Sequence, residues 1–336
     1  MKNLLEKDKK YIWHPYTQAQ TAAPPLPIVR GKGTQLFDDK GNAYIDAVSS
    51  WWVNTHGHAH PYIAKKVHEQ LLRLEHVIFA GFTHAPAVEL AERIIGALPN
   101  GFSRVFYSDN GSTSVEIGVK MAIQFFYNQD IEKKRLLAFE NGFHGETFGT
   151  MSAGGVHEFN AAFKRQLFDV QHIKLPTKGQ EQAAIEQLRM EVEKGDVYAF
   201  LFEPLIQGAG GMVTYSVEAL DEMIGICQAH NVIAIADEVM TGFYRTGKMF
   251  ASEYLKNTPD IICLSKGLTG GTLPLALTVC KEEIFEAFLS DDKLKTFFHG
   301  HSYTGNPVGC AAALACLDLY EKLDFEANIQ RICEQH

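Results

Sequence analysis

The sequence predicts an α/β fold in which a mostly parallel sheet carries helices on both of its faces. From about residue 50 onwards, strand-like segments alternate with segments of helical periodicity, and short connections join them. The strand-like segments are short apolar runs rich in β-branched residues, which is typical of strands buried on both faces. This alternation favours a doubly wound sheet. With 336 residues, 46% of them hydrophobic, the chain can bury a large core.

The residues before the alternating region predict a linker followed by a hairpin. The stretch TAAPPLPIVRGKG, Thr21–Gly33, is rich in Pro and Gly and is interpreted as a linker. Strands are predicted around Thr34–Phe37 and Ala43–Asp46, with DDKGN as the turn between them.

The alternating region provides the sheet and its helical layers. Helices are predicted where apolar residues recur every three or four positions, and strands where short apolar runs end at turn-forming residues. The predicted helices are AVELAERIIGAL, STSVEIGVKMAIQFF, EQAAIEQLRMEVEKG and VEALDEMIGICQAHN, and the predicted strands are RVFYS, LLAFE, YAFLFEP, VIAIADE, DIICLS and LALTVC. From about Cys310 the chain is again expected to be helical.

Composition excludes several classes of function. The formal charge of −9 gives no basic surface for nucleic acid, and no apolar run reaches membrane-spanning length. The charged start, MKNLLEKDKKYIWHPY, does not resemble a secretory signal. The six cysteines show no metal-ligand spacing, so we expect buried thiols in a reducing cytoplasm.

Two residues at predicted strand ends carry the main chemical signal. Asp237 closes the run VIAIAD, and Lys266 follows the run IICLS. Open α/β sheets bind ligands at the carboxyl ends of their strands, so we expect both side chains at one edge. An amine and a carboxylate there suit pyridoxal phosphate, because the amine forms a Schiff base and the carboxylate keeps the pyridinium nitrogen protonated. Taken singly, each residue could merely end a strand or cap a helix.

The segment SDNGSTSVE predicts a phosphate site at the start of a helix. Gly111 allows close backbone approach, Ser112 and Thr113 offer hydroxyls, and the free N–H groups of a helix N-terminus attract a phosphate. An ordinary helix cap is the alternative interpretation. The segment matches neither a Walker loop nor GxGxxG, which argues against nucleotide binding.

Two further segments are candidates for cofactor contacts. In ENGFHGETFG, Phe143 is expected to stack on an aromatic ring, with Val239 as the apolar partner on the other ring face. The alternative for Phe143 is simple core filling, and His144 and Glu146 are interpreted as a hydrogen-bonded turn. In EPLIQGAGGM, Gln207 is expected to reach the ring oxygen of the cofactor, although a surface turn fits equally well.

Two polar segments raise other possibilities. In FFHGHSYTGNP, Ser302 and Thr304 are candidates for a phosphate contact from a neighbouring subunit. The alternating histidines of HGHAH raise the question of a metal site. The HG and HP pairs are turn-like and no carboxylate or thiolate completes a ligand set, so we assign no metal.

Together these motifs resemble the class III (fold type I) pyridoxal-phosphate-dependent aminotransferases. The resemblance extends from about Lys10 to Cys316 and rests on IADEVMTGFYRTGKMFA, LSKGLTGG, SDNGSTSVE and EPLIQGAGGM. Within this family, WHPYTQ and SSWWVNTHGH are similar to the members that aminate 8-amino-7-oxononanoate in biotin biosynthesis. Transferase activity, pyridoxal phosphate as cofactor and a homodimer with shared active sites are what the resemblance implies.

The resemblance also implies roles for single residues. Lys266 becomes the Schiff-base lysine and Asp237 the partner of the pyridine nitrogen. The other implied cofactor contacts are Gly111, Ser112, Phe143, Val239, His301 and Ser302, with Ser302 acting across the dimer interface. The implied substrate contacts are Tyr16, Trp51, Phe143, Arg245, Lys266 and Gly300.

The implied domains are 1–49 as the N-terminal segment of a small domain, 50–310 as the cofactor-binding large domain, and 311–336 as the start of an incomplete C-terminal small domain. The sequence ends before the C-terminal segment of the family, so we expect a partial chain with reduced activity.

The sequence leaves more than one possible amino donor and more than one possible reaction. The family usually has Tyr where this chain has Phe143. S-adenosylmethionine is the usual donor, and lysine is the alternative. We expect ping-pong amino transfer, in which Lys266 shuttles the proton. The competing functions are another ω-amino-acid aminotransferase of the 4-aminobutyrate or ornithine type, an aminomutase, and a cofactor-free scaffold.

Overall fold

The computed structural model describes residues 2–155, 157–322 and 325–335. Its strands are β1 (Ile28–Lys32), β2 (Gln35–Asp38), β3 (Ala43–Ile45), β4 (Phe102–Ser108), β5 (Arg135–Phe139), β6 (Val170–Ile173), β7 (Val197–Phe202), β8 (Ile206–Gln207), β9 (Val213–Thr214), β10 (Ile233–Asp237), β11 (Ile261–Leu264) and β12 (Ala276–Lys281).

The helices surround these strands in sequence. They are α1 (Lys2–Tyr11), the short turn α2 (Ser49–Trp52), α3 (Pro61–Leu71), α4 (Ala85–Ala97), α5 (Gly111–Asn128), α6 (Phe148–Ala153), α7 (His157–Asn160), α8 (Glu181–Val192), α9 (Val217–Ala229), α10 (Glu282–Glu286), α11 (Pro307–Lys322) and α12 (Phe325–Gln335). Short 3₁₀ turns lie at Ala161–Gln166, Ala251–Tyr254, Lys266–Thr269 and Lys293–Lys295.

A seven-stranded sheet in the order β4-β12-β11-β10-β7-β5-β6 forms the centre of the molecule. β5, β6, β7, β10 and β11 pair in parallel, and β12 runs antiparallel to both β11 and β4. Because β4 and β11 both run antiparallel to β12, β4 points the same way as the parallel strands. The carboxyl ends of β4, β5, β7, β10 and β11 therefore meet at one edge, as the predicted doubly wound fold requires.

Alternation along the central strands divides the core between the two faces of the sheet. In β10, Ile233 and Ile235 pack in a cluster with α5, whereas Ala234 and Ala236 face a second cluster formed with α4, α8, α9 and α11. All six residues of β7 are buried. Burying a large apolar side chain stabilises a fold by about 1.5–3 kcal/mol, so burial on both faces makes the central strands a major source of stability.

The predicted helices and strands all occur, but the prediction of a linker needs correction, and one strand of the large sheet was not predicted. The predicted linker Thr21–Gly33 contains β1, which pairs with β2 in a three-stranded sheet completed by β3. Strand β6, at the edge of the large sheet, follows no predicted strand. Its sequence VQHI mixes apolar and polar residues, because an edge strand is only partly buried.

The cysteines are all unpaired. Cys227, Cys263, Cys280, Cys310 and Cys316 are buried, and Cys333 on α12 is exposed. None of the helices in the described part of the chain is long and apolar enough to cross a membrane.

Candidate active site

A cavity of about 370 Å³ lies at the carboxyl edge of the large sheet. Each part of its wall follows the end of a strand or belongs to a loop held over that edge. Its lining residues are Trp52, Asn110, Gly111, Ser112, Phe143, His144, Gly145, Glu146, Glu203, Gly208, Ala209, Asp237, Val239, Met240 and Lys266. The volume falls in the usual range for small-molecule and cofactor sites.

Asp237 is the last residue of β10 and is almost fully buried, with 4% of its surface exposed. His144 Nδ1 lies 2.8 Å from Asp237 Oδ2, and the Val239 N–H donates to Asp237 Oδ1 at 3.1 Å. A buried carboxylate is costly unless it is hydrogen-bonded, and these two contacts engage both of its oxygens. Asp237 therefore presents a fixed negative charge to the cavity.

Lys266 follows β11, the neighbour of β10, and lines the same cavity. Its backbone has a φ of 46°, a left-handed conformation that is uncommon for a residue other than glycine. Its ammonium nitrogen lies 4.9 Å from the centre of the Trp52 ring. Burial lowers the pKa of Lys266 from its ordinary value, and the negative charges of Asp237 and Glu203 oppose that shift. A lowered pKa makes the neutral amine, which can accept a proton, easier to form.

Helix α5 directs its N-terminus at the cavity through a capping box formed by Asn110 and Thr113. Among the described residues, no acceptor is hydrogen-bonded to the N–H groups of Gly111 and Ser112, so both can bind an anion. The Ser112 hydroxyl accepts from the Thr147 N–H at 3.0 Å, which fixes its orientation. A Cβ at Gly111 would lie 2.6 Å from Val239 Cγ1, so only glycine allows this close approach.

Phe143 and Val239 both line the cavity, as a ring-binding pair should. The Phe143 N–H donates to Glu203 Oε1 at 3.0 Å, and Glu203 follows the end of β7. The Phe143 ring makes an edge contact with Phe159, with 6.2 Å between ring centres. The aromatic wall is therefore held from its backbone as well as by side-chain packing.

Tyr16 is hydrogen-bonded to Glu146, a residue of the cavity lining. The Tyr16 hydroxyl donates to Glu146 Oε1 at 2.6 Å, and partial burial together with this bond raises the pKa of Tyr16 to about 12. Trp51 packs edge-on against Tyr16, with 5.5 Å between ring centres. Glu146, interpreted from the sequence as part of a turn, is thus a cavity residue, and the 130 positions between it and Tyr16 hid this pairing.

The turn α2 (Ser49–Trp52) brings Trp52 over Lys266. Its four residues have φ values between 48° and 64°, so the turn is left-handed. Asp46 supports it by accepting from the Ser50 N–H at 3.0 Å and the Ser50 hydroxyl at 2.7 Å. Arg245 donates to the Trp52 carbonyl at 3.3 Å. The sequence predicts an apolar channel of Tyr16, Trp51 and Trp52, and of these three residues Trp52 lies in the cavity lining.

Several predicted site residues lie elsewhere. Gln207 does not reach the cavity, because its amide donates to the Glu140 carbonyl at 2.8 Å. Within one chain, Gly300, His301 and Ser302 are also outside the cavity lining. His301 instead accepts from the Tyr303 N–H at 3.2 Å, and Ser302 is exposed.

The alternating histidines have separate environments. His58 Nε2 lies 2.9 Å from Asp46 Oδ2, so a carboxylate that the sequence did not point to is present after all. His56 packs against Tyr320 instead, with 4.5 Å between ring centres. Within the described residues, no group of three or more His, Cys, Asp or Glu side chains could hold a metal ion.

Comparison with known proteins identifies relatives of the whole chain. Residues 16–335 match the family model described as aminotransferase class-III. The adenosylmethionine-8-amino-7-oxononanoate aminotransferase of Synechococcus elongatus is 48% identical, over 97% of this chain and 78% of that protein.

Two solved structures have the same fold. The crystal structure of adenosylmethionine-8-amino-7-oxononanoate aminotransferase from Methanocaldococcus jannaschii superposes with a TM-score of 0.93 at 40% identity, covering 100% of this chain and 78% of that one. An amine transaminase from an uncultivated Pseudomonas species, solved in a form with bound pyridoxal phosphate (PLP), gives a TM-score of 0.91 at 31% identity, covering 97% and 78%.

Proposed function

This chain belongs to the class III aminotransferases, and we propose that it aminates 8-amino-7-oxononanoate to 7,8-diaminononanoate in biotin biosynthesis with pyridoxal phosphate as cofactor. The observation that carries the chemistry is the presence of Asp237 and Lys266 on adjacent strand ends in one cavity. The choice of substrate is supported by the Synechococcus relative, which is 48% identical and bears that activity in its name.

The cavity residues fit pyridoxal phosphate. The buried carboxylate of Asp237 suits a protonated ring nitrogen, and Lys266 supplies a primary amine for the aldehyde. The N–H groups of Gly111 and Ser112 suit the phosphate. Phe143 and Val239 provide apolar contacts for the faces of the ring.

When bound, pyridoxal phosphate supplies an electron-withdrawing ring that weakens the bond to the proton on the donor's amino-bearing carbon. Lys266 Nζ would take this proton from the donor and deliver it to the cofactor carbon that carried the aldehyde, and a lowered amine pKa favours the first of these transfers. Asp237, held by His144 and the Val239 N–H, keeps its negative charge directed into the cavity. Trp52 covers the Lys266 amine and limits the access of water to it.

The substrate contacts are proposed at the mouth of the cavity. Tyr16 and Trp51 form an aromatic pair that suits the long alkyl chain of 8-amino-7-oxononanoate. Arg245, which is anchored to the Trp52 carbonyl, is proposed as a substrate contact beside them. S-adenosylmethionine is the proposed amino donor, because the named relatives include it in their activity. The family usually has a tyrosine at the position of Phe143, and the missing hydroxyl could change the choice of donor. Lysine is therefore the donor to compare with S-adenosylmethionine.

We further propose a homodimer in the cytoplasm. Gly300, His301 and Ser302 lie outside the cavity of their own chain, so their proposed contacts to substrate and phosphate require a second copy. Six unpaired cysteines suit a reducing compartment.

Incubation of the full chain with pyridoxal phosphate, 8-amino-7-oxononanoate and either donor tests the proposal. We expect 7,8-diaminononanoate, detected by mass spectrometry, with S-adenosylmethionine as the better donor. Turnover of 4-aminobutyrate or ornithine without any diamine product would instead support the other ω-amino-acid activity.

A further inference from the structure

Glu203 is a fully enclosed carboxyl group in the cavity wall to which the proposed reaction assigns no step. It follows the end of β7, and 5% of its surface is exposed. Burying a carboxylate is unfavourable unless the protein supplies hydrogen bonds, so its presence requires a compensating role.

Each oxygen of Glu203 accepts a backbone N–H from a different part of the cavity wall. Oε1 accepts from Phe143 at 3.0 Å, and Oε2 accepts from Gly208 at 2.9 Å. Phe143 belongs to the loop after β5, whereas Gly208 follows the short strand β8. One carboxylate therefore joins the part of the cavity wall that contains Phe143 to the part that contains Gly208. We call this pair of bonds the Glu203 clamp.

Glu203 lies close enough to His144, Asp237 and Lys266 to interact electrostatically with each of them. Burial raises the pKa of Glu203 to about 7, and the bonds from Phe143 and Gly208 oppose that rise. Only the ionised form has two oxygens that both accept without donating.

On the proposed pyridoxal phosphate site, we propose that Glu203 is a positioning residue that sets the separation of the Phe143 and Gly208 walls and thereby the affinity for the cofactor. Glutamine has nearly the same volume, but its amide nitrogen would face one of the two N–H donors. The clamp would then lose one of its two charged hydrogen bonds, and the segment that carried that N–H would no longer be held by residue 203.

A matched control lies one strand away. Glu238 is fully buried and also binds two backbone N–H groups, those of Ala251 at 2.8 Å and Ser252 at 2.7 Å. It does not line the cavity. Glu238→Gln therefore makes the same chemical change, in a similarly buried place, at a side chain that is not part of the cavity lining.

The test compares Glu203→Gln and Glu238→Gln in the full chain by amide hydrogen exchange and by pyridoxal phosphate titration. We expect Glu203→Gln to speed exchange at one of the two amides, Phe143 or Gly208, and to weaken cofactor binding, each by about 10- to 100-fold. Glu238→Gln should speed exchange at Ala251 and Ser252 and keep wild-type cofactor affinity. Glu203→Asp, which keeps the charge but is one methylene shorter, should show the same changes as Glu203→Gln and replaces it if that variant does not fold.

Wild-type exchange at Phe143 and Gly208 in the Glu203 variants would overturn the inference. So would an equal loss of cofactor affinity in Glu238→Gln. The exchange measurement needs no cofactor, so it decides the clamp even if the wild-type chain fails to bind pyridoxal phosphate, a result that would contradict the proposed function instead.

Discussion

His144 Nδ1 lies 2.8 Å from Asp237 Oδ2, and both side chains are buried at the end of β10. This bond leaves the other carboxylate oxygen bound to the Val239 N–H, so the orientation of Asp237 is set from two sides. A carboxylate held in this way needs no rearrangement when it meets a positive charge, which is how preorganised groups accelerate reactions.

Asp237→Asn removes that charge and retains the shape of the side chain. We expect turnover to fall by about 10²- to 10⁴-fold while part of the cofactor affinity remains, because the phosphate and ring contacts lie on other residues. Steady-state kinetics and pyridoxal phosphate titration measure the two quantities. Turnover close to wild type in Asp237→Asn would contradict the electrostatic role assigned to Asp237.

Lys266→Ala removes the only group proposed to hold the cofactor covalently. The variant should lose the visible absorption that borohydride bleaches, and its turnover should disappear. Lys266→Arg is the control, because it keeps a positive charge beside Trp52 but cannot form the covalent bond. Undiminished colour and turnover in Lys266→Ala would rule out the assignment.

Gly111→Ala places a Cβ 2.6 Å from Val239 Cγ1. Such overpacking costs about 1–3 kcal/mol, so we expect lower stability towards urea and weaker cofactor binding. The double variant Gly111→Ala/Val239→Ala should recover part of both losses, because it opens the space that the new methyl group needs.

Gly96→Ala, in helix α4, is the matched control for this substitution, since nothing lies within 4 Å of a Cβ built at Gly96. It should be neutral or stabilising by up to about 1 kcal/mol. Additive losses in the Gly111–Val239 double variant would show that the close contact is not the cause.

The left-handed turn at Ser49–Trp52 predicts that glycine is tolerated better than valine at Ser49, whose φ is 48°. A β-branched side chain is strained there, so Ser49→Val should destabilise the fold by about 1–2 kcal/mol and lower turnover by displacing Trp52. Ser49→Gly should do neither. Urea unfolding and kinetics of the pair provide the measurement, and equal effects of valine and glycine would contradict the strain.

Glu203 predicts a dependence of stability on pH. Burial raises its pKa to about 7, above the ordinary value of 4.5, so its protonated form is favoured by folding. Its contribution to stability is fully present below pH 4.5 and is lost as pH rises through about 7, a change on the order of 3 kcal/mol. The stability of Glu203→Gln relative to wild type should therefore increase over this range.

Unfolding in urea at several pH values measures this difference. Glu140→Gln, the same substitution at an exposed carboxyl group, is measured beside it as the control for the chemical change itself. A constant difference between Glu203→Gln and wild type from pH 4.5 to 7 would show that Glu203 does not titrate as described.

The sequence was most informative where local pattern decides structure. Apolar runs such as Ile233–Asp237 predicted the central strands, because burial on both faces leaves a continuous signal. The edge strand β6 and the strand β1 in a Pro-rich segment lacked that signal. The reversed direction of β12 was also invisible, because it depends on the path of the chain between strands.

The candidate site also contains residues that local pattern predicts and residues that only the folded chain brings together. Residues at strand or helix ends, including Gly111 and Lys266, could be placed from their positions alone. The pairing of Tyr16 with Glu146 depends on the folded path, and so does the clamp from Glu203 to Phe143. Gln207 was misplaced because its neighbour Glu140 offers a carbonyl that the sequence does not reveal.

The distribution of the thiols has a practical consequence. With five cysteines enclosed in the core and Cys333 on the outer surface of α12, a maleimide dye should attach at one position of the native chain without any mutagenesis. That single label would report assembly of two copies by energy transfer between differently dyed molecules.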